Sequence, residues 1–420
     1  MSNASFTYVE RSRTRVRPTN PCLRDRGLPL LRPTTLAELL EADYLNSVFE
    51  RLRSEGGRAP GVDGIRYDDL SKGERSGLFR DLAADVLTGR YRPQPPRGIQ
   101  IPKSPAADGS PRSRTLQLRS IQDRLLAAAV ASVIGPVAEQ MFYPNSYGFR
   151  RSRDRFDMLA DLTICMEQSN AWVVTADDVA TAFDSVNTNL VSADLRRVGG
   201  ISSDVLNLAD MILRGHEGPT RTRGIDQGCP LSPLALNVHL HYRHDIHVEN
   251  PRVPDVCFWG RYADNIIYLT RDTQAGVVAL ERSRSQLREA ELTLKGDPGI
   301  PRDTSNGETL HFLGYRLTSK GGKAIWTIPN SAWPKLEEAL QECHLAGNPI
   351  EMAKATITGW IQGWKAASCD LEVLANRVIN LLRSSGFQGL MPKADILETF
   401  KRGQSQWTVT LQQRALRVGS

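Results

Sequence analysis

The sequence predicts an α+β fold built around an antiparallel sheet. Three runs, near residues 171–179, 256–270 and 310–317, have the composition of strands. Segments with apolar residues at helical spacing separate them, and after Pro329 the helical pattern returns as far as residue 384. Strands mixed with helices, followed by a run of helices, indicate an α+β domain joined to a helical one.

The composition is that of a globular protein with a basic surface. The chain has 420 residues, enough for several domains, with 40% hydrophobic and 24% charged residues. Its formal net charge of +6 favours a polyanionic partner. The six cysteines lack CxxC spacing, and neither a membrane-spanning run nor a signal peptide occurs. We therefore expect a cytoplasmic protein with reduced thiols, no zinc ribbon and no membrane association.

The first third of the chain predicts an extension, then helices and a hairpin. Residues 1–34 contain alternating arginines between Arg11 and Arg17, which suit either a solvated arm or one that lies along nucleic acid. Thr35 and Glu38 form a capping box at the start of the first helix. Further elements are predicted as a helix over 74–88, a hairpin with its turn near 108–111, and a buried helix over 120–140.

Helical spacing predicts seven helices in the remainder of the chain. They cover residues 188–198, 203–214, 231–248, 275–290, 331–345, 350–364 and 370–384. The helix over 231–248 contains four histidines, which we interpret as helix residues and not as a metal site because their spacing does not suit ligands. No structure is predicted for the basic segment 386–420.

Two of the strand-like runs carry an acidic residue. Asp264 lies in the apolar run 261–269, and Asp178 lies near the end of the run 172–179. A carboxylate in such a place needs a partner charge or a metal ion. Because side chains alternate along a strand, Asp178 and Asp177 point to opposite faces. If the two runs are neighbours in the sheet, Asp178 and Asp264 can form the divalent-cation site of a phosphoryl-transfer enzyme.

Two further segments have features suited to a nucleotide. After Asp178 the strand turns into a helix through residues 179–184, and backbone amides at such turns commonly hold phosphates. The segment 224–237 has glycines that permit close backbone approach, and Ser232-Pro233 that opens a helix. This second segment is the most specific pattern in the chain.

Taken in order, these motifs resemble those of reverse transcriptases of the group II intron type. The resemblance covers about residues 35–385 and implies a right-hand polymerase fold. The motifs are Ile101-Pro102-Lys103, a basic hairpin, Asp123-Arg124, Ser146–Arg150, the Asp178 strand, Gln227–Pro233, Tyr262–Asn265 and His311–Tyr315. The implied domains are fingers (35–170), palm (171–325) and helical thumb (326–385), flanked by basic segments 1–34 and 386–420.

The resemblance also implies a role for individual residues. Asp178 and Asp264 would hold two magnesium ions, or manganese, one lowering the pKa of the primer 3′-hydroxyl and the other neutralising the departing pyrophosphate. Phe183 would be the steric gate against a ribose 2′-hydroxyl. The other implied residues are Lys103, Arg114, Ala182 and Gln227 at the incoming nucleotide, Arg150 at the template, and Leu313, Gly314 and Tyr315 at the primer.

Three positions depart from the family pattern. Asn265 stands where the family usually has a second aspartate, so we expect weaker metal binding or loss of activity. The segment around Lys295 lacks the usual Glu-Lys-Thr, and Lys295 receives no role. Arg151 replaces the usual proline after the Ser146–Arg150 motif.

The expected function is RNA-directed DNA synthesis from dNTPs on an RNA template, with a DNA product. The chain ends soon after the predicted thumb, without room for the DNA-binding and endonuclease domain of mobile introns, which favours a domesticated enzyme in antiviral defence. A dedicated noncoding RNA, protein partners and an oligomer are left open. The alternatives are a non-catalytic RNA-binding scaffold, which Asn265 favours, and template-independent or protein-primed synthesis.

Overall fold

The fold is that of a computed structural model, and it is described for residues 35–55, 59–103, 112–250, 254–296 and 300–418. The predicted basic extension and the tip of the predicted hairpin lie outside these described residues.

The described residues form helices along the whole chain. They are α1 (Leu36–Leu39), α2 (Ala42–Glu55), α3 (Lys72–Leu87), α4 (Ile121–Ala138), α5 (Arg155–Ser169), α6 (Ala182–Ser185), α7 (Thr188–Arg196), α8 (Ser203–Arg214), α9 (Ser232–Leu240), α10 (Ile246–Glu249), α11 (Thr273–Glu289), α12 (Ala332–Cys343), α13 (Pro349–Gly363), α14 (Leu371–Ser384) and α15 (Lys393–Val418). Short 3₁₀ turns cover Tyr67–Asp69, Gly215–Thr220 and Thr304–Asn306, and a π-helical turn covers His241–Asp245.

The strands form three antiparallel sheets in the described part of the chain. The strands are β1 (Arg97–Lys103), β2 (Arg112–Leu118), β3 (Val173–Asp178), β4 (Val256–Tyr262), β5 (Asn265–Thr270), β6 (Arg302–Asp303), β7 (Leu310–Phe312), β8 (Tyr315–Lys320) and β9 (Lys323–Thr327). The sheets are the hairpin β1-β2, a four-stranded sheet in the order β4-β5-β3-β6, and β7-β8-β9. With helices on both faces of the central sheet, the predicted α+β class is confirmed.

Helix α4 is the buried helix of the N-terminal region. Ser120 caps it by accepting a hydrogen bond from the amide of Asp123, at 3.2 Å. By length and composition α4 could cross a membrane, but 67% of it is buried inside the protein, where it packs with α1, α2 and α8. Its apolar character therefore belongs to the core of this region.

The central sheet has a different core on each face. Phe258 and Ile267 pack with Met158 of α5, whereas their neighbours Trp259 and Ile266 belong to a cluster that includes α11. This alternation is the period of two expected for strands that are covered on both sides. The sheet is therefore fixed between α5 and α11, and its strand ends hold the polar residues described below.

Two predicted elements differ from the structure. The run 310–317 is a hairpin and not one strand, because Leu313 (φ 47°) and Gly314 (φ 89°) form a tight turn between β7 and β8. The helix over 231–248 is interrupted by the π-helical turn His241–Asp245. Its histidines have protein partners: His239 contacts Asp194 at 2.8 Å, and His244 contacts Asp245, Tyr268 and Ser283.

The segment 386–420, for which no structure was predicted, contains the 26-residue helix α15. Helix α15 packs against α13 and α14 and also against α5. Arg414 on α15 forms a buried ion pair with Asp161 on α5, and the Tyr147 hydroxyl donates to the same carboxylate at 2.6 Å. The C-terminal helix thus joins the α12–α14 bundle to the central sheet and its helices.

Candidate active site

The ends of β3 and β5 bring the two predicted acidic residues to one place. In the antiparallel register Asp178 lies directly opposite Asn265, which follows Asp264. The amide of Val179 donates to the carbonyl of Asp264 at 3.0 Å. The Asp178 side chain is 25% exposed, so it is open to solvent at the edge of the sheet. Asp178, at the end of β3, and Asp264, in the turn that leads into the adjacent strand β5, therefore lie at the same end of the sheet.

The turn that carries Asp264 has a strained backbone. Tyr262 and Asn265 close a two-residue turn, in which Ala263 has φ 56°. A non-glycine residue in this region costs about 1–3 kcal/mol and persists only where its surroundings hold it. Gly148 supplies such support, since a Cβ on it would lie 2.2 Å from the Ala263 nitrogen. The backbone of the Ser146–Arg150 motif thus packs directly against the turn.

The buried side chain of Arg261 stabilises this turn. Arg261 is fully buried, and its Nη1 donates to the Ala263 carbonyl at 3.0 Å. Its Nε and Nη2 donate to the two oxygens of Asp245 at 2.8 and 2.7 Å. Burial alone would raise the pKa of Asp245, but the Arg261 guanidinium holds that pKa well below its usual range. Further bonds of Arg261 to Asn237 and Ser146 complete the network.

Sequence reasoning assigned no role to Arg261 or Asp245. The sequence did contain an indication that Arg261 needs a partner. Arg261 is a charged residue in the same apolar strand-like run as Asp264. Its partner could not be identified from spacing. Asp245 lies in the π-helical turn, which reorients its carboxylate relative to an uninterrupted helix.

The neighbouring aspartates Asp177 and Asp178 have different surroundings, as strand alternation predicted. The Asp177 side chain is fully buried, accepts from the amide of Gly296 at 3.2 Å, and lies 3.8 Å from Arg284. Asp178 instead forms an ion pair with Lys295, whose amide also donates to the Asp178 carbonyl at 3.0 Å. Lys295, which had no predicted role, is therefore the cation beside the candidate catalytic carboxylate.

The donor set at this site suits a hard divalent cation. Among the described residues no group of three or more His, Cys, Asp and Glu could hold a metal. Asp178 and Asp264 offer carboxylate oxygens, and magnesium is typically bound by one or two carboxylates with water and substrate phosphates. The ammonium of Lys295 at Asp178 shows that this carboxylate accommodates a positive charge. The residues present therefore fit such an ion.

Phe183 lies beside the end of β3, on the short helix α6. Its ring is half-buried and meets the ring of Phe149 edge to face, with 6.1 Å between centroids. Phe149 is 51% exposed and has φ 57°. The preceding residue, Ala182, is buried. Phe149 was not predicted as a site residue, although it belongs to the Ser146–Arg150 motif.

Residues 224–231, which we call the glycine-rich loop, connect Phe183 to the β1-β2 hairpin. The amide of Ile225 donates to the Phe183 carbonyl at 2.8 Å, and the amide of Gln117 on β2 donates to the Gln227 carbonyl at 2.7 Å. Gly228 has φ 109°, and a Cβ there would lie 2.8 Å from the Gln117 carbonyl oxygen. Gln227 is therefore fixed between α6 and the hairpin, by contacts that only glycine at 228 allows.

Arg114 and Lys103 are the two predicted nucleotide-binding residues of the hairpin, and the structure describes the side chain of Arg114. Arg114 is exposed on β2, opposite Ile101. It shares a strand face with Leu116, which lies against Gly228. The face with Arg114 is therefore the one that meets the glycine-rich loop. Lys103 ends β1, and its side chain lies outside the described residues.

Arg150 is not placed to contact a template. Its side chain is only 4% exposed and donates to both oxygens of Glu139, at 2.6–3.0 Å. Its Nη1 donates to the carbonyls of Tyr143 and Ser146. These internal contacts bind the segment that leads into the Ser146–Arg150 motif, so Arg150 has a structural role.

Of the three predicted primer residues, one is internal. The Tyr315 ring is fully buried, and its hydroxyl donates to the Gly363 carbonyl at 2.8 Å. It packs edge to face on Trp364, with 4.8 Å between centroids. Leu313 and Gly314 form the turn of the hairpin, with Gly314 exposed. Tyr315 therefore joins the hairpin to α13, and for Leu313 and Gly314 the contact with a primer stays a prediction.

The chain is similar to a known protein family and to several known proteins. The model of the family described as "Reverse transcriptase (RNA-dependent DNA polymerase)" matches residues 101–316, about half of the chain. Protein YkfC of Escherichia coli (strain K12) is 28% identical over 353 residues, which cover 74% of this chain and 89% of YkfC. Group II intron-encoded protein LtrA of Lactococcus lactis subsp. cremoris is 26% identical over 207 residues, 48% of this chain and 33% of LtrA.

Solved structures that match include telomerases at low similarity. A truncated apo telomerase from Candida tropicalis has a TM-score of 0.42 and 11% identity, over 60% of each chain. The family match spans both Asp178 and Asp264 and includes all four strands of the central sheet. The chain therefore belongs to the reverse transcriptases, the RNA-dependent DNA polymerases, and is similar within them to group II intron proteins.

Proposed function

We propose that this protein extends a primer 3′-hydroxyl with dNTPs on an RNA template, with two magnesium ions held by Asp178 and Asp264, or manganese in their place. The observation that carries the proposal is the position of Asp178 at the end of β3, beside the turn before β5 that contains Asp264. The chemistry supplied by the bound ions is activation of the primer hydroxyl and neutralisation of charge on the departing pyrophosphate.

The residues around the carboxylates have complementary roles in this proposal. Phe183, backed by Phe149, closes the space next to the sugar. Gln227, held by the hairpin backbone, faces the incoming nucleotide, and Arg114 lies on the hairpin face that meets the glycine-rich loop. Lys103 would join Arg114 at the triphosphate. Preorganised positioning of this kind is the main contribution a protein makes to phosphoryl transfer.

The direct test is primer extension by the purified full chain. Poly(rA) primed with oligo(dT), labelled dTTP and magnesium or manganese should give extended products, and RNase treatment of the template beforehand should prevent them. Absence of incorporation with either ion on any primed RNA would contradict the proposal and favour an RNA-binding scaffold. Products made without template, or attached to protein, would instead indicate template-independent or protein-primed synthesis.

Phe183→Ala should weaken the discrimination between dNTPs and rNTPs. Removal of the ring opens space for a 2′-hydroxyl, and we expect the ratio of kcat/KM values for dTTP and UTP to fall by roughly 10- to 100-fold. Phe149→Ala is the matched variant. It removes only the ring behind Phe183, so its effect should be smaller. Equal ratios for wild type and Phe183→Ala would remove the steric-gate role.

Asn265→Asp should strengthen metal binding. Asn265 lies opposite Asp178, and its amide nitrogen is 3.4 Å from an Asp264 carboxylate oxygen. A carboxylate here adds a negative charge to the site, so the magnesium concentration for half-maximal extension should fall by on the order of tenfold. Asn265→Ala provides the comparison without added charge. An unchanged magnesium dependence in the aspartate variant would place residue 265 outside the ion site.

We further propose that this synthesis takes place in the cytoplasm and serves antiviral defence. The support is the resemblance to bacterial reverse transcriptases. Expression in a phage-sensitive bacterium should lower the phage plating efficiency, and the Asp178→Asn variant should not. Equal plating with both proteins would argue against a defence role without affecting the polymerase assignment.

A further inference from the structure

A buried ion cluster holds the loop immediately before Gln227. Asp226 is 5% exposed. Arg119 donates to one of its oxygens through Nε at 3.0 Å and Nη2 at 2.7 Å, and Arg221 donates to the other oxygen through Nη1 at 2.7 Å. Each carboxylate oxygen of Asp226 is thus held by a different arginine.

The three residues of this cluster come from three different parts of the fold. Arg119 follows β2, Arg221 follows the 3₁₀ turn after α8, and Asp226 precedes Gln227. The backbone bond from Gln117 to Gln227 lies two residues from Arg119. Two adjacent links, one neutral and one ionic, therefore tie the β1-β2 hairpin to the glycine-rich loop.

Burial of the charged groups in this cluster costs free energy of folding. Arg119 is 1% exposed, and its Nη1 is buried without a hydrogen-bond partner among the described residues. Gly215 lies against both guanidinium groups, since a Cβ on it would be 3.4 Å from Arg221 and 3.6 Å from Arg119. Buried ion pairs contribute little net stability compared with apolar packing. Geometric specificity is the better explanation for such an arrangement.

We propose that Asp226 is a positioning residue for the incoming deoxynucleotide. By bridging Arg119 and Arg221 it fixes Gln227 relative to the hairpin strand that carries Arg114. Asp226 is buried and acts through Gln227. This inference rests on the proposed polymerase function, because it concerns the dNTP site of that reaction. It predicts that the charge of Asp226 affects dNTP use far more than primer–template binding.

Asp226→Asn tests this inference, because it keeps the shape of the side chain and removes its charge. We expect the KM for dTTP to rise about tenfold, with kcat and the primer–template Kd changed less than about twofold. Equilibrium binding of dTTP to the enzyme–primer–template complex should weaken by a similar factor, which gives a readout independent of turnover. Unchanged dTTP affinity in a folded Asp226→Asn protein would overturn the inference.

A matched control is available elsewhere in the same protein. Asp194 is fully buried and also contacts two side chains, Arg243 at 2.8 Å and His239 at 2.8 Å. Asp194→Asn should lower thermal stability but leave the KM for dTTP unchanged. An equal rise in KM in this control would mean that Asp226 acts only through general stability, and would overturn the inference.

A second variant covers the case in which Asp226→Asn does not fold. Arg221→Met leaves the Arg119–Asp226 pair in place and removes one link, at a residue that is 13% exposed. We expect a rise in KM for dTTP of about threefold. A wild-type KM in this variant would overturn the inference. Failure of wild-type protein to extend any primer would instead refute the proposed function, and dTTP binding would still test Asp226.

Discussion

Asp178→Asn should abolish dNTP incorporation, with a loss on the order of 10³-fold or more. The proposed ions supply several kcal/mol of transition-state stabilisation, and each ~1.4 kcal/mol corresponds to a factor of ten in rate. Asp264→Asn should have an effect of the same order, because Asp264 lies in the turn beside the end of β3 that carries Asp178. Single-nucleotide extension on a primed RNA template measures both losses.

Asp177→Asn is the matched control for this loss. Asp177 precedes Asp178, but its side chain is buried against Gly296 and Arg284. Its replacement should lower the free energy of unfolding and leave most of the activity. Circular dichroism should show that Asp178→Asn protein is folded. Wild-type incorporation by folded Asp178→Asn protein would remove this aspartate from the catalytic site.

Asp245→Asn should lower the free energy of unfolding by about 3–5 kcal/mol, the usual effect of removing one partner of a buried ion pair. Arg261 would then remain fully buried without its counter-charge. Urea denaturation measures the change. We also expect reduced incorporation, since Arg261 holds the Ala263 carbonyl in the turn of Asp264. Glu372→Gln is the comparison: its exposed pair with Lys393 should contribute less than about 1 kcal/mol.

The pH dependence of stability should change as well. The folded-state pKa of Asp245 lies below its unfolded value of about 4. Its stabilising contribution is therefore fully present above about pH 4 and is lost as the pH falls through the folded value. Wild-type stability should decline in this acidic range, and the decline should be shallower in Asp245→Asn. Parallel pH profiles for the two proteins would contradict the assignment of this ion pair.

The sequence was sufficient to predict the fold class and that Asp178 and Asp264 lie close together, whereas their role as metal ligands stays a prediction. Strand alternation separates Asp177 from Asp178 without any structure, and the motif order indicates which runs are neighbours. The β-pairing itself cannot be derived from composition, since the register between Asp178 and Asn265 depends on contacts far apart in the chain. The resemblance supplied that link, and the division into fingers, palm and thumb stays a prediction.

The positions of Arg150 and Tyr315 show that a sequence motif does not predict the direction of a side chain. Both residues lie in recognisable motifs, yet their side chains point into the protein, towards Glu139 and Gly363. A motif locates a segment next to a site but does not give the direction of each side chain. Arg261 shows the converse, because its role depends on a carboxylate in a π-helical turn that spacing does not predict.

Helix α15 has a consequence for the way the protein can move. Its first half packs in the α12–α14 bundle through Ile396 and Phe400, and its second half reaches α5 through Arg414. An α-helix of 26 residues is a stiff rod about 39 Å long. The α12–α14 bundle therefore cannot rotate away from α5 unless the Arg414–Asp161 pair breaks first. The range of motion of the bundle is limited by the rigid helix α15 and not by the length of a connecting loop.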